Sequence, residues 1–244
     1  MRSTRIAWLS EADPAEAFPD VEFALTEPDG LLAAGGDLSS ERLLTAYTRG
    51  IFPWYEEGQP ILWWSPDPRC VLWPEKLHVS RRLRQQLRNS SAELRFNSAF
   101  DDVVKKCAGR RRSGQTTWIT DDMKLAYQRL HEEGWAHSIE IWDDDELAGG
   151  LYGLCIGKVF FGESMFSDKP NTSKMAMLGL TAHMQSAGLQ LMDCQVVSRH
   201  LVTMGAELMP RAEFCALLAR DCNPPEPHRD WPRKPVPMAC LFVA

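Results

Sequence analysis

Residues 137–197, HSIEIWDDDELAGGLYGLCIGKVFFGESMFSDKPNTSKMAMLGLTAHMQSAGLQLMDCQVV, decide the fold. Segments 137–142, 146–155 and 158–166 are rich in strand-forming residues and are separated by the turns DDDE and IGK, which predicts an antiparallel meander. A long amphipathic helix is predicted at 172–187, where Gly188 ends it. An apolar strand at 189–197 follows, and the whole stretch predicts a mixed α/β sheet.

The flanking segments extend this unit in both directions. Helical periodicity predicts one further helix that begins at residue 80. It predicts four others at about 98–107, 121–133, 198–204 and 211–220. Residues 50–74 are dense in proline and aromatic residues and predict a junction between two modules. We therefore predict three regions: a small N-terminal α/β domain at 1–67, a larger domain at 68–222 and a proline-rich tail at 223–244.

Composition excludes several classes of protein. The chain has 244 residues, of which 44% are hydrophobic and 25% charged, as in ordinary globular proteins. No apolar run approaches the roughly 18 residues needed to cross a bilayer, and the N-terminus lacks the apolar core of a secretory signal. Seven scattered cysteines suit reduced thiols. We therefore expect a cytoplasmic protein with no membrane partner.

The charge is distributed unevenly along the chain. The net charge is −6, yet residues 76–112 hold 11 Lys and Arg against 3 Asp and Glu, a local charge of +8. Arg81, Arg84 and Arg88 recur on one helical face, and Arg110, Arg111 and Arg112 form a basic loop. Both groups are candidates for phosphate binding, although a charged face can also be merely solvated.

The order of elements in the larger domain is similar to that of the N-acyltransferase superfamily, the GNAT fold, which suggests acyl transfer to an amine. A CoA-dependent enzyme would need a glycine-rich turn before the long helix to hold the pyrophosphate. Segment 167–173 has no glycine, and Pro170 removes one backbone donor. The basic segment instead favours a polyanionic acyl donor such as an aminoacyl-tRNA. A CoA-dependent N-acyltransferase and a non-catalytic tRNA-binding protein remain the alternatives.

Several motifs resemble the leucyl/phenylalanyl-tRNA–protein transferase family across most of residues 18–220. They are GLLAAGGDLSSERLLTAYTRGIFPWY, ILWWSPDPRCVLWPEKLHVSRRL, TTWITDDMKLAYQRLHEEGWAHSIE, GGLYGLCIGKVFFGESMFS and LMDCQV. The resemblance implies transfer of Leu or Phe, and also Met, from aminoacyl-tRNA to the N-terminal Arg or Lys of a protein, which marks that protein for degradation by the bacterial N-end rule. No cofactor is expected, because the ester supplies the driving force.

Three polar residues are candidates for catalysis. Strand alternation places Asp193 and Gln195 on the same face, where the carboxylate would orient the side-chain amide. The resemblance also implies that both are catalytic, with Asp193 polarising Gln195; an ordinary hydrogen-bonded pair is the alternative. Glu163 lies on an otherwise apolar strand, where an isolated carboxylate is costly. It could bind the amine of the donor or the basic acceptor residue, or form a buried ion pair.

The donor side chain requires an apolar pocket. The family positions that match are Trp54, Trp118, Tyr127 and Phe160, although each of these rings could also be ordinary core. The sequence departs from familiar family members at two further candidate positions, Leu180 and Met184. Leu180 and Met184 stand where family members can carry aromatics, so we expect a roomier or reshaped pocket. No metal is expected, because the sequence has neither C-x-x-C nor H-E-x-x-H.

Overall fold

The computed structural model describes residues 6–109 and 119–242, which form two β-sheets with helices between and around them. The smaller sheet has the order β1-β2-β4-β3, and only β1 and β2 in it run parallel. Its strands are β1 (Ala7–Leu9), β2 (Leu31–Gly35), β3 (Phe52–Pro53) and β4 (Leu62–Trp64). Helix α1 (Ser40–Thr48) follows β2, and the Ser39 side chain caps it by accepting from the backbone N–H of Arg42.

The larger sheet has eight strands in the order β11-β5-β10-β9-β8-β7-β6-β12. They are β5 (Arg69–Leu72), β6 (Glu93–Phe96), β7 (Ala136–Asp143), β8 (Glu146–Ile156), β9 (Val159–Ser167), β10 (Leu191–Gln195), β11 (Glu207–Met209) and β12 (Val236–Pro237). The predicted meander is confirmed as β7, β8 and β9, each antiparallel to the next. Strand β10 lies beside β9 and runs parallel to it.

Six helices accompany the larger sheet within the described residues. They are α2 (Arg81–Arg88), α3 (Phe100–Cys107), α4 (Asp121–Glu132), α5 (Thr172–Ala187), α6 (Arg199–Thr203) and α7 (Arg211–Asp221). Helix α5 has the predicted bounds, and Gly188 ends it with a left-handed φ of 72° that glycine adopts without strain.

Each face of the larger sheet has its own hydrophobic cluster. The cluster on the α5 face includes Leu151, Phe160, Leu180, Met184 and Met192. The cluster on the opposite face contains residues of α3 and α4 together with α1 and the smaller sheet. The two sheets therefore share one core, and side chains of α1 reach the strands of the larger sheet.

Two predicted segments differ from the structure. The strand expected at 189–197 is shorter, because pairing with β5 shifts at a β-bulge and Gln195 has a left-handed φ of 61°. The proline-rich tail contains regular elements: the edge strand β12 pairs with β6, and a 3-10 helix follows it at Met238–Phe242. The mixed α/β class is confirmed, and the domain bounds stay a prediction.

Candidate active site

A mostly apolar cavity of about 340 Å³ opens beside the end of β10. Strand β10 ends at Gln195, whereas its neighbour β9 continues to Ser167, so the two strands are no longer paired at this point. Residues from β3, β8, β9, β10 and the segment after β10 line the cavity; among them are Phe52, Trp54, Leu151, Met165, Met192 and Leu201. Glu163 and Gln195 are the polar residues where β9 and β10 separate.

The carboxylate of Glu163 accepts three hydrogen bonds from neutral groups. Oε1 accepts from the Tyr47 hydroxyl at 2.7 Å and from Gln195 Nε2 at 2.8 Å, and Oε2 accepts from the Tyr127 hydroxyl at 2.6 Å. The two tyrosine hydroxyls are also 2.6 Å apart. Among the described residues Glu163 has no ion-pair partner, so the buried ion pair considered above is not its arrangement.

This environment changes the pKa of Glu163. Burial raises it from 4.5 to about 7, even though the hydrogen bonds from Tyr127, Tyr47 and Gln195 lower it and nearby Asp193 raises it further. Burial and the charge of Glu163 hold the pKa values of Tyr47 and Tyr127 well above their ordinary 10.0. Both tyrosines therefore remain donors, while Glu163 can exchange a proton near neutral pH.

Gln195 is held by its backbone and by its side chain at once. Its N–H donates to Asp193 Oδ1 at 2.9 Å, and its side-chain Nε2 donates to Glu163. Within the described residues its amide oxygen accepts no hydrogen bond, and Gln195 lines the cavity. The side chain therefore offers that oxygen to a ligand.

Asp193 has a different partner from the one predicted. Both its oxygens bind the guanidinium of Arg69, with Nε–Oδ1 at 2.8 Å and Nη2–Oδ2 at 2.7 Å, and both side chains are buried. Arg69 also donates to the carbonyl of Gly50 and lies over the rings of Phe52 and Phe214. The predicted contact between Asp193 and the Gln195 amide is thus wrong: Asp193 holds the backbone of Gln195, and Glu163 orients the amide.

The predicted substrate-binding residues separate into three groups. Trp54 lines the cavity, and Tyr127 reaches the site through its hydrogen bond to Glu163. Phe160, Leu180 and Met184 are fully buried and do not line it, but they share a hydrophobic cluster with Leu151 and Met192, which do. Trp118 lies outside the described residues.

The basic helix has the predicted two-faced character. On α2, Leu83 and Leu87 are buried, whereas Arg81, Arg84 and Arg88 are exposed, and none of the three has a side-chain partner in the described part of the chain. Other cations of the segment are paired: Lys76 with Glu207, Arg95 with Glu93 and Lys106 with Asp168. Arg110, Arg111 and Arg112 fall outside the described residues.

Metal-binding clusters and membrane-spanning helices are both absent from residues 6–109 and 119–242. These ranges contain no group of three or more His, Cys, Asp or Glu side chains that could hold a metal ion. They also contain no helix that is both long and apolar enough to cross a membrane.

Three residues of the site were not predicted from the sequence. Arg69, Tyr47 and Tyr152 come from β5, α1 and β8, which are far apart along the chain. A buried carboxylate requires partners, so the position of Glu163 on an apolar strand called for donors without identifying them.

Comparison with known proteins places the chain among the aminoacyltransferases. It belongs to the leucyl/phenylalanyl-tRNA protein transferase family, whose model matches residues 71–219 and whose N-terminal domain model matches residues 36–67. A leucyl/phenylalanyl-tRNA–protein transferase from Aromatoleum aromaticum is 57% identical over 89% of this chain and 91% of its own. One from Chromobacterium violaceum is 51% identical over 93% of this chain and 96% of its own.

The chain also has a distant likeness to a solved structure. The C-terminal DUF2156 domain of a protein from Agrobacterium fabrum has a TM-score of 0.42 and 11% identity, covering 76% of this chain and 70% of that chain. A score at this level carries no functional argument.

The buried ion pair gives a prediction about stability. Asp193→Ala leaves the guanidinium of Arg69 buried without a counter-charge, which should lower the free energy of unfolding by about 3–5 kcal/mol. The double variant Arg69→Met/Asp193→Leu buries no charge and should recover much of that loss. Urea denaturation measures both, and a single variant as stable as wild type would contradict the interpretation.

The pKa of Glu163 gives a prediction about pH. Between 4.5, its ordinary value, and about 7 the folded chain binds more protons than the unfolded chain, so the free energy of unfolding falls as pH rises through this window. Glu163→Gln cannot titrate and should lack this component of the decrease. Urea unfolding of both proteins from about pH 5 to about pH 8 measures the difference. A difference that stays constant across that range would show that the pKa is not raised.

Proposed function

We propose that this chain transfers Leu or Phe, and also Met, from aminoacyl-tRNA to the N-terminal Arg or Lys of acceptor proteins, and so marks them for degradation in the cytoplasm. Family membership supports the transfer reaction. The observation that carries the proposal is the pairing of Glu163 with Gln195 beside an apolar cavity. This arrangement offers acceptors for an amine and an apolar surface for a side chain.

The reaction is aminolysis of an ester. The acceptor amine nitrogen forms a bond to the carbonyl carbon, the bond from that carbon to the ribose oxygen breaks, and the proton lost by the amine ends on the released ribose hydroxyl. Because the ester is already activated, the protein contributes mainly positioning and charge stabilisation. The atoms and charges of this reaction balance without a cofactor.

Glu163 is suited to handle the proton of the attacking amine. An α-amino group has a pKa of about 7.7–8.0, and the pKa of Glu163 is about 7. A base is most effective when its pKa lies near the working pH. Gln195 contributes its free amide oxygen as a second acceptor. Asp193 is bound to Arg69 and does not line the cavity, so its role is to position Gln195.

The apolar walls suit an unbranched hydrophobic donor. Phe52, Trp54, Leu151 and Met192 line the cavity, and the buried Phe160, Leu180 and Met184 support it from the same cluster. One methylene is worth only about 1–3 kcal/mol in such a pocket, so Leu, Phe and Met should all be accepted. Trp118 belongs to the proposed pocket by family position.

The tRNA would be held by the basic segment. The exposed arginines of α2 are free to contact backbone phosphates, and Arg110, Arg111 and Arg112 are proposed as a second contact. Phosphate contacts carry no sequence information, which suits an enzyme that recognises only the aminoacyl end.

We also propose a GNAT-like fold for residues 68–222. In the sequence this domain follows a small domain at 1–67 and precedes the tail at 223–244. The succession of meander, α5 and β10 supports this assignment. The separate sheet of β1 to β4 supports the first boundary.

The direct test is transfer of labelled Phe from Phe-tRNA to a peptide that begins with Arg. Wild type should label this peptide, but not the same peptide with an acetylated N-terminus, because the nucleophile is then blocked. Acetyl-CoA should give no product in place of Phe-tRNA. If wild type binds tRNA and labels nothing, the chain is a binding protein and the proposal fails.

The basic helix is tested by charge reversal. Arg84→Glu/Arg88→Glu should weaken tRNA binding and reduce the slope of log K against log salt by about 1 for each phosphate that the variant no longer neutralises. The matched control is Lys158→Glu/Lys234→Glu, which makes the same change in net charge at exposed lysines outside the segment. Equal slopes for the two double variants would contradict the assignment.

A further inference from the structure

Tyr152 is a buried tyrosine that the proposed reaction does not yet use. It lies on β8, where it pairs with Ser164 of β9, and it lines the same cavity as Glu163 and Gln195. Its side chain is fully buried, with its ring edge-on to Tyr127 at 5.3 Å and to Phe100 at 6.0 Å. Its hydroxyl has no hydrogen-bond partner in the described residues.

The missing partner distinguishes Tyr152 from the other tyrosines. Tyr47 and Tyr127 donate to Glu163, and Tyr55 lies within hydrogen-bond distance of Thr120. A buried hydroxyl without a partner is costly, and such groups are few in native proteins. Tyr152 is one of the residues that line the cavity, so a ligand bound there is the candidate for the missing partner.

We propose that the Tyr152 hydroxyl donates a hydrogen bond to the carbonyl oxygen of the aminoacyl ester, and stabilises the negative charge that develops there when the amine attacks. This inference rests on the proposed function. The attacking amine and the ester carbonyl need different partners in the cavity. Glu163 and the Gln195 amide oxygen are acceptors and suit an amine, whereas the carbonyl oxygen requires a donor.

Tyr152 carries the most deeply buried hydroxyl among the described residues that line the cavity. Ser164 and Ser198 also line the cavity, but Ser164 is half-buried and Ser198 exposed, so water competes for their hydroxyls. Burial and the charge of Glu163 hold the pKa of Tyr152 well above 10.0, so its hydroxyl keeps its proton. A donor shielded from water stabilises a developing oxyanion more strongly than a solvated one.

Tyr152 transfers no proton in this step. As the amine nitrogen bonds to the carbonyl carbon, the carbonyl π electrons move to the oxygen, and the hydrogen bond from Tyr152 becomes stronger. When the intermediate collapses, the π bond re-forms and the ribose oxygen leaves with the electrons of the broken C–O bond. That oxygen receives the proton released by the amine.

The test is Tyr152→Phe, which removes the hydroxyl and keeps the ring. Loss of one oxyanion donor should lower kcat by about 10²–10³-fold. The KM for Phe-tRNA should change less than about two-fold, because the bond strengthens only in the transition state. Tm should not fall, because the hydroxyl removed has no partner in the free protein. Tyr55→Phe is the matched control, since Tyr55 is the one tyrosine outside the cavity and the Glu163 cluster, and it should retain wild-type kcat.

The outcomes distinguish the proposed function from the role of Tyr152. If wild type transfers no Phe, the proposed function fails. If wild type is active and Tyr152→Phe keeps its kcat, the assignment of Tyr152 is overturned while the proposed function stands. A higher KM with unchanged kcat overturns it as well, since the hydroxyl would then act only in binding. A fall in kcat that comes with a fall in Tm of the same variant also overturns it, because the role would be structural.

Discussion

The ion pair between Arg69 and Asp193 is the interaction on which the site depends. It joins β5 to β10 inside the larger sheet, and it reaches the loop before β3 through the carbonyl of Gly50. Asp193 also fixes the backbone of Gln195 at a left-handed φ. One buried pair therefore determines where β10 ends and how the amide of Gln195 meets Glu163. Two charges buried together are tolerated only with such complete hydrogen bonding.

Local sequence patterns predicted most of the fold. The meander, helix α5 and its end at Gly188 follow from alternation, periodicity and a glycine, each of which acts over a few neighbouring residues. The site was predicted less completely. The sequence identified Asp193, Gln195 and Glu163 as candidates, but not the partners of the two carboxylates. Arg69 is 124 residues from Asp193, and Tyr47 is 116 residues from Glu163. Contacts at such separations depend on tertiary packing, which leaves no trace in local spacing.

The charge distribution has a physical role in this arrangement. The acidic chain carries a basic segment, and in α2 that segment presents arginines without partners among the described residues, while several of its other cations are neutralised by acidic residues elsewhere. The positive field is thus concentrated on a helix surface. At the cavity, neutral hydrogen-bond donors surround Glu163, a single carboxylate of raised pKa. A polyanion and an amine would therefore meet different environments on one molecule.

The Glu163 cluster draws its donors from α1, α4 and β10, and α1 belongs to the same part of the chain as the smaller sheet. The carboxylate acquires its shifted proton affinity only when these segments have come together. An exposed carboxylate titrates near 4.5, so Glu163 outside this cluster would have neither the raised pKa nor an oriented amide beside it. The proton affinity of this carboxylate is therefore a property of the assembled fold and not of any one segment of the chain.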